Sequence, residues 1–187
     1  MSEDKIRLGI SSCLLGEKVR FDGSHQCDPF LVEGSLALRR LRETIAKDKS
    51  AKGLIDYHSR HKLLMMAHSP EIYRQMGKLV ARAGAFDVEI LYQDYLALLV
   101  KGLRLKATVP KHINVLQHIF GYFKKHLIAD EKQEMLTLLE RYRARQIPLI
   151  VPITLLNHYV HKYDQPYLLQ QVYLNPHPVE LSLRNHV

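Results

Sequence analysis

Residues 54–68 constrain this chain most. They read as one helix, and a helix of this composition has no face that could be left in water. At 100° per residue, Leu54, Tyr57, His58, His61, Leu64, Met65 and His68 share an arc of about 120°, with Asp56 and Arg60 on the far side. Leu63 to Ala67 is apolar all round, a pattern that needs neighbours on several sides. The stretch is therefore expected to be the central helix of an all-α domain, a compact bundle of about six to seven helices. Its three imidazoles lie on the apolar stripe, so Tyr57, His58, His61 and His68 are read as structural residues.

A second helix is expected over 111–126. His112, Val115, Leu116, Ile119, Tyr122, Phe123 and His126 form its apolar face, and Asn114, His118, Gly121 and Lys125 descend the opposite side at i, i+4, i+7 and i+11. Tyr122 and Phe123 join the structural set. A glycine inside a helix costs about 1 kcal/mol against Ala, so Gly121 on a polar ridge suggests a close approach to the backbone there.

The remaining helices follow from caps and breakers. The pattern turns helical at Ser35, runs past the basic cluster Arg39, Arg40 and Arg42, and gives way to a polar linker at 47–52 before Gly53. Ser69-Pro70 starts a third helix that stops at Gly84. Asp87 caps a fourth, with Ile90, Leu91, Tyr95, Leu98 and Leu99 inward. Pro110 opens the helix with the polar ridge, and Asp130 caps the next, which ends among Arg141, Arg143 and Arg145. Pro148 and Pro152 lead into a helix through His161, and Pro166 starts a last short one. Before Ser35, residues 5–16 read as a strand ending in a Ser-Ser-Cys turn, a short β-type stub with no strand partner in sequence. Two segments result: 1–34, and a helical domain at 35–187.

A chain of 187 residues with 47% hydrophobic content holds one ordinary core, and two compact domains would be cramped. Its 27 Lys and Arg against 19 Asp and Glu give +8, which implies a polyanionic partner, nucleic acid before membrane, unless the charge serves solubility alone. No apolar run approaches the roughly 20 residues of a membrane span, and the N-terminus lacks the basic start and apolar core of a secretion signal. The expected location is the cytoplasm, without membrane association.

Metal, nucleophilic and phosphate chemistry each compete with a blander role. His58-x-x-His61 has helical metal-ligand spacing, but no acid or thiol is placed to complete a site, so no metal is expected. Cys13 has no base beside it in sequence, and Asp87, Glu89 and Asp94 read as a solvated helix face. No phosphate-binding or dinucleotide glycine pattern occurs. The cations and donors Arg60, Lys62, Arg74, Lys78, Asn114, His118, Lys124 and Lys125 remain, a set suited to phosphate contact, with tyrosines available for stacking.

The phrases Asp56 to Lys62, Ala67 to Pro70, Asn114 to His118, Gly121 to Lys124, Pro148 to Pro152 and Gln171 to Tyr173 resemble those of the YbgA-like domain, a family of unknown function. The resemblance covers roughly residues 36–185. Ile10 to Gly16, Val19 to Gly23 and His25 resemble the opening of the thiouracil-desulfurase-like domain, an iron–sulfur family. Fusions of the two are implicated in removing sulfur from 4-thiouridine in tRNA, so the chain resembles a shortened tRNA 4-thiouridine desulfidase. The resemblance breaks off near Val32. Of the three cluster cysteines of that family only the position of Cys13 is kept, and a protein-bound cluster wants three or four thiolates, so no cofactor is expected.

These readings imply a helical nucleic-acid-binding accessory domain, with tRNA the expected ligand, linked to desulfuration of thiolated nucleobases and served by a separate desulfurase. Its contact residues would be Arg60, Lys62, Asn114, His118, Gly121, Lys124 and Lys125. Two alternatives stay open, an enzyme using the histidine-rich core and a structural homo-oligomer.

Overall fold

The computed structural model describes residues 29–177. The expected β-type stub and the Cys13 loop lie outside them. All regular structure among the described residues is helical: α1 (Pro29–Lys47), α2 (Ala51–His68), α3 (Pro70–Ala81), α4 (Val88–Leu103), α5 (Val109–Gly121), α6 (Ala129–Arg143), α7 (Ile150–Lys162) and the single turn α8 (Pro166–Leu169). None is long and apolar enough to cross a membrane.

Helix α2 is the hub. It packs on α1, α3, α4 and α5, while α5, α6 and α7 pack on one another and α8 closes against α7. Leu54, Tyr57, Leu63, Leu64, Met65, Ala67, His61 and His68 are all buried, as the stripe and the apolar run require. Each large apolar side chain so buried is worth about 1.5–3 kcal/mol.

Local signals set the helix ends. Ser50 caps α2 by accepting from Gly53 N at 3.1 Å. Ser69 serves two helices: its N–H closes α2 on Met65 O at 2.7 Å, and its Oγ accepts from Ile72 N at 3.2 Å to open α3, with Pro70 at the first helical position. Lys111 Nζ donates to His68 O at 2.6 Å, a cation at the negative end of α2. Asp87 Oδ1 caps α4 through Glu89 N at 2.8 Å.

Several expectations are corrected. Helix α1 begins at Pro29, ahead of Ser35, and the polar linker shrinks to the tight turn Asp48–Ser50. Gly53 lies within the first turn of α2 rather than before it, and a Cβ there would collide with the Asp48 carbonyl oxygen, so the turn itself demands glycine. Ile90 is 52% exposed, and Tyr92 takes the expected inward place, its hydroxyl donating to Ser50 O at 3.1 Å. Helix α6 starts at Ala129, so Asp130 sits in its first turn instead of capping it, and Glu131 Oε2 accepts from Ile128 N at 3.1 Å.

The largest correction concerns α5, which ends at Gly121. Tyr122 to His126 continue as turns closed by bonds such as Tyr122 N to Ile119 O at 3.0 Å and His126 N to Phe123 O at 2.9 Å. Gly121 is thus a terminal residue, and a Cβ on it would meet nothing within 4 Å. The tighter turns keep Phe123 buried but leave Tyr122 37% exposed and His126 on the surface. Lys125 does not continue a helical ridge below Asn114 and His118.

Candidate functional site

Helix α2 presents different chemistry on two flanks. On one flank lies a surface cluster built from four helices. Lys62, half-buried, holds its Nζ 5.8 Å from the centre of the Tyr167 ring at α8. Tyr167 stacks on Tyr122, with centroids 6.0 Å apart and 17° between planes, and His118 on α5 meets Tyr122 edge-on at 5.8 Å. One turn back from Lys62, His58 lies parallel to Tyr73 of α3 at 5.1 Å. The Nδ1 of His58 is 3.2 Å from the hydroxyl of the buried Tyr95.

The groups of this cluster influence one another electrostatically. Burial and then the Lys62 charge lower the pKa of His58 to about 4, and the same two causes lower that of His118. Burial raises the Tyr167 hydroxyl to about 12, with added contributions from Tyr122 and Tyr73. At neutral pH the imidazoles of this flank are therefore neutral and Tyr167 keeps its phenol proton.

The other flank faces α1. Arg60 Nη2 pairs with Asp56 Oδ2 at 2.7 Å, and both line a half-open groove of about 230 Å³ with Thr44, Asp48 and Lys52. Beside it His61 stacks on Tyr57 at 3.8 Å, and its Nδ1 donates to Tyr57 O at 2.8 Å. That bond fixes the tautomer and leaves Nε2 as a buried acceptor with no partner; Arg60 Nε is likewise buried and unpartnered. Burial, opposed by the bond to Tyr57 and reinforced by Arg40, Arg60 and His58, lowers the His61 pKa to about 3.

The expected contact residues are thus divided. Lys62 and His118 come together with Tyr122, whereas Arg60 belongs to the opposite flank, because two residues rotate a helix by about 200°. Asn114 is exposed one turn before His118, and Gly121, Lys124 and Lys125 are exposed around the end of α5. Among the structural residues, His68 Nδ1 engages Leu105 O at 2.7 Å, and Phe123 packs on Tyr159 and Tyr163. Tyr122 belongs with the surface cluster.

Sequence reasoning missed Tyr73 and Tyr167, and it placed Tyr95 in the core without its bond to His58. Ten tyrosines without a tryptophan was the signal at hand, and it does not say which of them converge. Among the described residues no group of three or more His, Cys, Asp or Glu could hold a metal ion. Cys13 lies outside the described residues, and with Cys27 the only other thiol in the chain the donor set does not fit an iron–sulfur cluster.

Residues 62–178 match a family described as a protein of unknown function, DUF1722. A relative from Escherichia coli (strain K12), named uncharacterized protein YbgA, is 34% identical over 167 residues, spanning 89% of this chain and 95% of its own length. No solved structure matches. The family match takes in Lys62, Tyr73, His118, Tyr122 and Tyr167 but begins beyond His58 and Arg60, whereas the alignment with YbgA runs over most of the chain. On both grounds the chain belongs to the DUF1722, or YbgA-like, family.

Proposed function

We propose that this chain is an RNA-binding module, with tRNA as its ligand, acting beside an enzyme that removes sulfur from thiolated nucleobases. The observation that carries the RNA-binding part is the exposed Tyr122 ring, stacked on Tyr167, with Lys62 over the Tyr167 ring and Lys124 and Lys125 close by in the chain. Unpaired bases stack on exposed aromatic rings, and phosphates are met by flexible cations beside them. The net charge of +8 favours the same ligand class. The desulfuration link rests only on the resemblance at residues 10–25.

An enzyme built on the core histidines gains less support. The free nitrogen of His61 is buried, and His68 spends its Nδ1 on a backbone carbonyl.

The test is tRNA affinity as a function of salt for the wild-type chain and for Lys62→Glu, Lys125→Glu and the exposed control Lys101→Glu. Wild-type binding should weaken with a log–log slope of about −0.7 to −0.9 per phosphate contact. Lys62→Glu and Lys125→Glu should each lose about tenfold, and the control no more than about twofold. Equal losses would reduce the site to general basicity, and no binding at about 50 mM salt would remove the RNA reading.

A further inference from the structure

Gly77 stands in the middle of α3, facing His58. A Cβ built on it would lie 3.9 Å from His58 Nε2, an ordinary contact, with nothing closer. Packing therefore admits alanine at this position. Gly53, by contrast, excludes a side chain by collision, and so does Gly102, where a Cβ would run into the Met65 methyl and crowd Ile72. A mid-helix glycine costs stability relative to alanine, so one that packing does not demand calls for another reason.

The reason on view is access. His58 uses Nδ1 on Tyr95, and Nε2 has no hydrogen-bond partner among the described residues. With no methyl on Gly77, the space 3.9 Å from that nitrogen is left unfilled, a notch beside the imidazole edge. Tyr73 covers one face of the imidazole, and Lys62 lies one helical turn further along α2, reaching toward Tyr167 and Tyr122. Burial and Lys62 keep the ring neutral, so it offers a polar edge without charge.

We infer that the notch over His58 Nε2, opened by Gly77, receives the polar edge of one unpaired nucleobase. This deepens the RNA reading above and rests on it. A bare phosphate would favour a charged imidazole; a neutral ring edge among tyrosines suits a neutral, planar, hydrogen-bonding group. Lys62 would meet the phosphate of the same nucleotide. In an A-form duplex the base edges lie in a deep groove closed to side chains or along a shallow one, so an unstacked base is the form that can enter.

The test compares binding of a mixed-sequence single-stranded RNA of about twelve nucleotides with binding of its duplex, by fluorescence anisotropy. The variants are Gly77→Ala, His58→Gln and Lys62→Glu, with thermal melts to confirm folding. Gly77→Ala should melt at or above the wild-type temperature, lose about tenfold affinity for the single strand and keep duplex affinity within about twofold. His58→Gln should show the same selective loss. A folded Gly77→Ala protein that binds the single strand like wild type overturns the notch while leaving the RNA-binding face intact. If Lys62→Glu has no effect, or no RNA binds, both readings fall.

Discussion

Arg60 and Lys62 sit two residues apart on α2, carry the same charge and meet opposite circumstances. Arg60 is paired with Asp56, and its Nε is buried without a partner, as is the Nε2 of His61. Lys62 reaches across an aromatic surface and lowers the pKa of two imidazoles. The histidines divide the same way: His61 hides its free nitrogen, whereas His58 keeps its own beside a glycine. The flank toward α1 thus keeps two polar nitrogens buried without partners, and the flank toward α8 carries the groups proposed to meet RNA. A charge near a functional phrase says little until the flank it occupies is known.

The comparison can be broken first by acid. Both His58 and His61 are held neutral well below the ordinary value of 6.5, at about 4 and about 3. Between those values and pH 6.5 the unfolded chain takes up protons that the folded chain refuses, so stability is complete above about pH 6.5 and falls as pH drops from there toward 4 for His58 and on toward 3 for His61. At about 1.4 kcal/mol per pH unit and group, the loss should reach several kcal/mol by pH 4, a large share of the roughly 5–15 kcal/mol of a typical domain. Urea unfolding at pH 7, 5.5 and 4 measures it, and His61→Phe should flatten the slope. A flat profile would mean that neither ring is as enclosed as its surroundings imply.

His61→Ala comes next. It deletes the stack on Tyr57 and the bond to its carbonyl, and should cost about 1–3 kcal/mol while RNA affinity stays unchanged. A variant with full stability and lost binding would transfer the functional role to the buried flank.

Neutralising each cation in turn sharpens the contrast directly. Lys62→Gln should reduce RNA affinity about fivefold, or about 1 kcal/mol, and Arg60→Gln by less than about twofold, although the charge change is identical. The smallest effect concerns His118. Because its pKa lies below 6.5, RNA affinity should be level from pH 8 to 6.5 and rise only under that, when the ring gains a proton facing phosphate. A rise centred above pH 7 would place a different group at the contact.

Much of the hub was legible in advance. The 100° spacing from Leu54 to His68 marks a buried stripe because every helical residue turns by the same angle, and Ser69-Pro70 marks a boundary because both residues act locally. The end of α5 was not legible. Apolar residues at Ile119, Phe123 and Leu127 continue a helical rhythm through a segment whose backbone has tightened into shorter turns, and no breaker follows Gly121. Nor could the aromatic cluster be read, since Tyr73, Tyr122 and Tyr167 come from distant parts of the chain and come near one another only through the packing of four helices.

One contact made late in the chain has a consequence for how the protein is made. The side-chain amide of Gln171 donates from Nε2 to Ser59 O at 2.9 Å and accepts at Oε1 from Leu63 N at 3.3 Å, the two groups that a regular helix bonds to each other. Val172 N adds a bond to Arg60 O at 3.1 Å, and the Tyr173 hydroxyl reaches His112 Nδ1 at 2.9 Å. The centre of α2 thus receives groups synthesised 108 and 112 positions later. While the chain is still leaving the ribosome its hub helix lacks these partners, and it gains them only when Gln171 and Val172 emerge. Early and late parts of the domain are thereby tied by hydrogen bonds, and a chain cut before Gln171 leaves its hub helix without these partners.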